Sequence, residues 1–323
     1  MIKSLWGCPQ VNDDSQWDTL FARVKNEGYT GVEMIGLNYL SKGLVDVLRK
    51  YELQLICQIH VAGGYLDESN GGSYVYCSTR DVSAHVESFR KQVAQALSVN
   101  PVMINCHSGH DSWSIEMAVQ YFEACLAIEE ELLKKHSSQT SDDVVIVHET
   151  HRQRLMFSPY QTRDLLSHPS LHNLKITADL SHWCCVCERV FDKNDPRDDW
   201  WEEVLMLVSR HAHYIHCRIG HAEGPQIFDP RDEQWNEEKK AHFLWWATIW
   251  AEQSARGLKY TYCTPEHGPH PYQYYSDRTP SRLLAGPDQV VKETDKDDIL
   301  WAINDYVKEE VQRHYVNCDK LLN

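Results

Sequence analysis

The chain has 323 residues, 42% of them hydrophobic and 24% charged, which is apolar material enough for one large core. Those fractions exclude a disordered, collagen-like or low-complexity protein. Lys and Arg number 32 against 47 Asp and Glu, a net charge of −15 that repels phosphate backbones and excludes nucleic acid as an expected partner.

The first apolar segment, Lys3–Trp6, reads as a strand. Trp17, Leu20, Phe21 and Val24 then repeat at i, i+3, i+4 and i+7, with Gly28 as C-cap, the signature of a helix. A second strand, Gly31–Gly36, precedes a helix marked by Leu44, Val47, Leu48 and Tyr51. Gln54–Val61 is the third strand, and the Gly- and Ser-containing stretch Gly63–Ser78 reads as a loop. Val86, Phe89, Val93 and Leu97 mark the next helix, and Val102–Cys106 the fourth strand. Ile115, Val119, Phe122 and Leu126 share one face of a helix that starts at N-cap Ser114 and ends near His136. Val144–Val147, Ile176–Leu180, His213–Arg218 and Tyr260–Thr264 are strands five to eight. Amphipathic stretches around Leu165, Val204–Val208, Phe243–Trp250 and Ile299–Val307 follow them in turn.

Eight β-then-α units with no composition break predict an α/β chain folded as one closed (β/α)8 barrel over residues 1–323. An open doubly wound sheet is the alternative, but no GxGxxG follows any strand. The chain exceeds the ~250 residues usual for such a barrel, and extended βα loops after strands three, seven and eight hold the surplus. The segment MIKSLWG does not read as a secretory signal, and no run of 18 apolar residues offers a membrane span. Eleven cysteines without a second pair to complement Cys184, Cys185 and Cys187 read as reduced thiols of a cytoplasmic protein.

In a barrel, chemistry lies where the strands' C-terminal ends meet the βα loops. Strand three ends near His60, strand four runs into His107-Ser108-Gly109-His110, and strand five into His148-Glu149-Thr150-His151-Arg152. Strand six ends in Asp179-Leu180-Ser181-His182, strand seven carries His216-Cys217-Arg218, and strand eight ends in Thr264-Pro265-Glu266-His267. Glu149, Asp179, His216 and Glu266 therefore converge at one mouth. Three carboxylates and an imidazole suit Mn2+ first, with Mg2+, Co2+ or Zn2+ as alternatives, because gathered like charges need a cation. The plainer reading makes each one a capping or salt-bridged loop residue.

The runs HETHR, DLSH, HCR and TPEHG resemble the xylose-isomerase-like TIM-barrel superfamily over nearly the whole chain, Met1 to about Val311. That group holds sugar isomerases, ketose 3-epimerases, hydroxypyruvate isomerase, inosose dehydratase and zinc-dependent AP endonucleases of family 2. The segment HCRIGHAEGPQIFDPR also resembles bacterial proteins described as sugar phosphate isomerase/epimerase. The resemblance implies Glu149, Asp179, His216 and Glu266 as metal ligands and His182 as a sugar-contacting histidine. It further implies a metal-dependent isomerase or epimerase acting through an enediolate, with Glu149 and Glu266 as the acid/base pair. Arg218 and Arg152 are candidates to hold substrate oxygens, or else to pair with mouth carboxylates. Trp113 and Trp183 are candidate walls for a sugar ring, or else core residues. His60, His107 and His151 complete the expected substrate-contacting set.

A lyase or dehydratase on a keto-sugar or keto-inositol shares the same proton-removal step. The endonuclease branch needs, besides His60 and His107 with Glu149, an Asp-x-His after strand seven. The loop IGHAEGPQIFDPRDEQW has none. Lys175 and Lys259 begin strands instead of ending them, which disfavours Schiff-base chemistry. A barrel retained only to bind carbohydrate is the non-catalytic alternative. A homo-oligomer is compatible with everything above.

Overall fold

The computed structural model describes residues 2–5, 14–35, 42–61, 65–67, 73–75, 77–78, 80–140, 143–269, 272 and 296–318. Eight parallel strands close into a barrel: β1 (Ile2–Leu5), β2 (Gly31–Ile35), β3 (Gln54–His60), β6 (Met103–His107), β7 (Val145–Glu149), β8 (Ile176–Ala178), β9 (Ala212–Cys217) and β10 (Tyr262–Pro265). β10 pairs back onto β1 through Ile2 with Tyr262 and Lys3 with Cys263, so the sheet has no free edge. The predicted (β/α)8 architecture is the observed one.

Helices alternate with the strands: α1 (Asp14–Asn26), α2 (Lys42–Lys50), α3 (Val82–Leu97), α4 (Ile115–Ser137), α5 (Pro159–Leu166), α6 (Ser181–Val186), α7 (Trp201–His211), α8 (Asn236–Ala255) and α9 (Lys296–Val316). Their starts are chemically marked. Asp81 accepts from Ala84 N, Ser114 from Met117 N, and Ser158 from Gln161 N ahead of Pro159. α8 buries Trp245, Trp246 and Trp250 together with His242, so it is apolar on more than one face.

Two predicted connections differ from expectation. The stretch Gly63–Ser78 holds an antiparallel hairpin, β4 (Tyr65–Asp67) with β5 (Ser73–Val75), which pairs backbone groups of a long connection. α6 follows β8 directly, and six residues are too few to display a helical period in the sequence. The long loop after β9 runs from 218 to a 3-10 turn at Glu233–Trp235. The predicted loop after strand eight lies, past 269 and apart from Tyr272, outside the described residues.

Along each strand the side chains alternate between the barrel interior and the helix layer. Ile56, Met103, Val147 and Tyr214 form an apolar plug inside the barrel. Two residues further along the same strands stand Gln58, Asn105, Glu149 and His216, and two further still His60, His107 and Arg218. The intervening Cys57, Ile59, Ile104, Cys106, Ile146, Ile215 and Cys217 belong to the large outer core shared with the helices. An apolar floor thus supports a polar layer, and the polar layer supports the mouth.

Candidate active site and metal centre

The polar layer is tied together across the barrel. Asn105 Nδ2 donates to Glu33 Oε1 at 3.0 Å and to Glu149 Oε2 at 2.7 Å, while its Oδ1 accepts from Thr177 Oγ1 at 2.8 Å. Glu33 Oε2 accepts from Tyr214 OH at 2.7 Å and lies 2.9 Å from His216 Nε2. A carboxylate oxygen only accepts, so His216 carries its proton on Nε2 and directs Nδ1 to the mouth. Nδ1 lies 2.8 Å from Glu266 Oε2 and 3.5 Å from Glu149 Oε1.

Those three atoms test whether the residues fit a metal ion. Glu149 Oε1, His216 Nδ1 and Glu266 Oε2 are all buried, and among the described residues they face one another and no outside hydrogen-bond partner. Two carboxylate oxygens and one imidazole nitrogen turned together in this way are what a cation would satisfy. Asp179 joins them: one donor atom from each of Asp179, His216 and Glu266 lies within 4.8 Å of the others. The four residues picked out at the strand ends are thus brought together, and their donor set fits a divalent ion.

Without a cation at the mouth, the carboxylates act on the histidine instead, and Nδ1 gives up its proton only when a metal ion replaces it. Burial alone would lower the pKa of His216, yet the carboxylates of Glu266, Glu33 and Glu149 outweigh it and hold the imidazole well above its usual range. Burial pushes Asp179 up to about 7 against the pull of Arg218, helped by the charges of Glu266 and Glu149. Burial likewise works against Glu149, but His107 and His216 hold it well below the usual carboxylate range.

Arg218 lies fully buried between two of the ligand candidates. Nη2 ion-pairs with Asp179 Oδ2 and Nη1 lies 3.2 Å from Glu266 Oε1. Nε donates to Ser181 Oγ at 3.0 Å, and Nη2 lies 2.6 Å from His182 Nε2. Of its two expected roles the structure shows the carboxylate pairing. Arg152 differs: Nη1 lies 3.3 Å from His182 Nδ1 and the guanidinium covers the Tyr272 ring at 5.2 Å.

Four imidazoles form a row across the mouth. His60 stacks on His107 at 4.3 Å, His107 meets His151 at 4.5 Å, and His151 meets His182 at 3.8 Å between ring centroids. His107 Nε2 is 2.8 Å from Glu149 Oε2. Burial drives the pKa values of His60, His151 and His182 well below the usual histidine range, so these rings are neutral.

Trp113 and Trp183 stand in the core, not on the mouth. Trp113 packs edge-on against His85 and Tyr121, and Trp183 is 0% exposed, donating Nε1–H to Met156 O at 3.0 Å. Each indole buries more apolar area against the helix layer than a wet mouth offers. His148 also points outward, with Nδ1 2.6 Å from Ser108 Oγ and Nε2 2.9 Å from Glu129 Oε1 on α4. A groove of about 810 Å3 between α7 and α8, floored by Phe191, Trp201 and Trp245, shares no residue with the mouth cluster.

Sequence reading missed Glu33, Asn105 and Tyr214. Their signal was a polar residue inside an apolar strand, as in GVEMIG, MINCH and AHYIHC.

No protein-family profile matches the chain, and neither does any curated protein sequence. Solved structures do. A protein named as a xylose isomerase from Rhodospirillum rubrum aligns at TM-score 0.52 and 10% identity, over 95% of this chain and 97% of its own. An AP endonuclease of family 2 from Brucella melitensis aligns at TM-score 0.50 and 11% identity, over 84% of this chain and 94% of its own. The likeness is one of fold: these two proteins align along nearly their whole length with the same barrel.

Proposed function

We propose that this xylose-isomerase-like barrel is a divalent-metal-dependent isomerase or epimerase of a small sugar, with Glu149 and Glu266 as its proton-transfer pair. The observation that carries the reading is the convergence of Glu149 Oε1, His216 Nδ1 and Glu266 Oε2, buried and turned toward one another, beside Asp179. The likeness to the xylose isomerase-named protein supports the fold side of it. Glu149, Asp179, His216 and Glu266 would hold the ion, Mn2+ best matching so oxygen-rich a set. When bound, it supplies a Lewis acid that polarises a hydroxy-ketone and acidifies the adjacent carbon-bound proton.

The chain's own groups do the rest. Asn105 and His107 hold Oε2 of Glu149 and so fix the carboxylate that takes a proton from carbon. Glu266, fixed by Arg218 on one oxygen, presents the other to the same space. Return of the proton on the opposite face gives epimerisation, and return to the neighbouring carbon gives isomerisation. The row His60, His107, His151 and His182 offers ring nitrogens to sugar hydroxyls, and Arg152 adds a planar donor. The described cysteines are free thiols, in keeping with a reduced, cytoplasmic setting.

A second reading rests on one further grouping. Donor atoms of His107, Glu149 and His151 also lie within 4.8 Å of one another, which would let a second ion share Glu149 and turn the site to phosphoesters. Metal content by mass spectrometry on chelator-free protein separates the two. About one Mn per chain supports the isomerase or epimerase, and two or more zincs support the alternative. Hydrogen exchange from D2O into a ketose panel then tests the chemistry. Exchange should fall by ~100-fold or more in Glu149→Gln and in Glu266→Gln, and near-normal rates in either would remove that residue from the pair.

A further inference from the structure

α8 is poorly suited to stand against water. From Ala241 to Ala251 it reads AHFLWWATIWA, three turns without an aspartate, glutamate, lysine or arginine. One side packs His242, Phe243, Trp246 and Trp250 into the core. The other side lines the groove shared with α7. A helix that is apolar all round is ordinarily covered all round, whereas a surface helix keeps charged residues on its outer face.

The groove follows the whole of α8. Its wall there runs from Glu237 through Ala241, Leu244, Thr248 and Ala251 to Ala255, a rise of about 27 Å at 1.5 Å per residue. Leu205 and Met206 of α7 form the facing wall. Beneath them Phe191 stacks on Trp201 at 4.4 Å, and Trp201 meets Trp245 edge-on at 5.0 Å between ring centroids. The apolar surface continues past Phe191, which meets Trp200 at 5.5 Å. Trp200 in turn meets Tyr160 at 4.8 Å, and Tyr160 is 45% exposed. An apolar face of this extent marks contact with another molecule.

The charges beside the wall say which molecule. Lys240 flanks it near one end and Glu252 near the other. Neither has an ion pair among the described residues. Arg256, one turn beyond Glu252, gives its Nη2 to the carbonyls of Ser209 and Ala212 at 3.0 and 2.6 Å instead. Along the helix, Lys240 and Glu252 stand equally far from residue 246, as do Ala241 and Ala251, and Leu244 and Thr248. A second copy of α8 laid antiparallel along the groove, about a two-fold axis at that level, therefore brings lysine to the level of glutamate twice. It also seats each Leu244 against Thr248 of the other copy. Two chains of charge −15 repel each other over most of their surface, so opposite charges at this rim direct where they meet. A copy of the chain has this match by symmetry; an unrelated protein would need it by design.

We infer that the groove between α7 and α8 is a self-association surface, through which two copies of this chain form an isologous dimer with Lys240 of each paired to Glu252 of the other. The face shares no residue with the mouth cluster, so the inference stands or falls apart from the proposed chemistry.

Sedimentation equilibrium of the full chain at micromolar concentration should give twice the chain mass. Leu244→Glu, which sets a carboxylate in the middle of the contact, should give the single mass. Lys240→Glu and Glu252→Lys each put like charges opposite one another at two points, and each should weaken the dimer by about tenfold or more. The double variant Lys240→Glu/Glu252→Lys restores opposite charges and should recover most of that loss, a rescue that misfolding cannot imitate. Circular dichroism on every variant checks that the barrel is intact. A chain that stays monomeric overturns the inference and leaves the groove to a different partner. A dimer that survives Leu244→Glu overturns it by placing the contact elsewhere. A double variant that associates no better than the single ones overturns the pairing of Lys240 with Glu252.

Discussion

Glu33 and His216 meet at 2.9 Å in the barrel interior, and that contact decides which imidazole nitrogen faces the mouth. A carboxylate behind a ligating histidine fixes its tautomer and its angle together. Glu33 lies on β2, two to four strands around the barrel from those that carry the four ligand candidates and three from β9, so it reaches His216 across the barrel interior.

Glu33→Gln should therefore weaken Mn2+ binding by about 10–100-fold while the barrel stays folded. Calorimetric titration with Mn2+ measures this. An unchanged affinity would show that Nδ1 is presented without help from Glu33.

Arg218 offsets the charges of Asp179 and Glu266 at full burial. Removing one partner of a buried ion pair typically costs about 3–5 kcal/mol, because the other charge is left behind. Arg218→Gln should lose stability of that order without metal, and less once Mn2+ takes up the carboxylates. Urea unfolding in the presence and absence of Mn2+ reads the difference, and equal losses in both would sever Arg218 from the metal centre.

His242 gives a pH dependence away from the site. Its Nδ1–H donates to Glu238 O at 2.8 Å and its Nε2 accepts from Gly220 N at 3.1 Å, an arrangement only the neutral ring can make. Burial holds its pKa down to about 4 against a usual 6.5. The unfolded chain thus binds this proton and the folded one does not, so the stability is full above pH 6.5 and falls as the pH drops toward 4. The loss approaches about 3 kcal/mol for this group. The slope of unfolding free energy between pH 6.5 and 4.5 should flatten in His242→Gln, and an unaltered slope would count against the assignment.

Gly109 sits at φ 61°, and a Cβ added to it would lie 2.5 Å from Leu155 Cγ. Gly109→Ala should cost about 1–3 kcal/mol and disturb the turn that carries Arg152 and Arg154. Thermal melting gives the first effect. An unshifted Tm would show that the turn yields easily.

The sequence showed the barrel through its eight alternations, and the ligand candidates through their place at strand ends. Position alone was enough there, because parallel strands put their C-terminal residues in one mouth whatever the loops do. The layer below was harder to see. Glu33, Asn105 and Tyr214 each stand singly in an apolar run, where only the alternation of the closed barrel tells inside from outside. The turn above β7 was hidden in another way: nothing in HETHRQRL reveals that Gln153 turns left-handed. Trp113 and Trp183 lie next to mouth residues in sequence, but helix packing claims their area. The hairpin within 63–78 left no stronger mark than loop composition.

The two-residue step along β7 and β9 also bears on how this protein can change over evolutionary time. Val147 and Tyr214 belong to the plug, Glu149 and His216 to the polar layer, and His151 and Arg218 to the rim. A substitution at His151 or in the turn above it leaves the contacts of Glu33 and Asn105 in place, whereas one at Arg218 frees Asp179 and Glu266. The polar layer and the rim on β7 can therefore change independently, while on β9 the two are tied through Arg218.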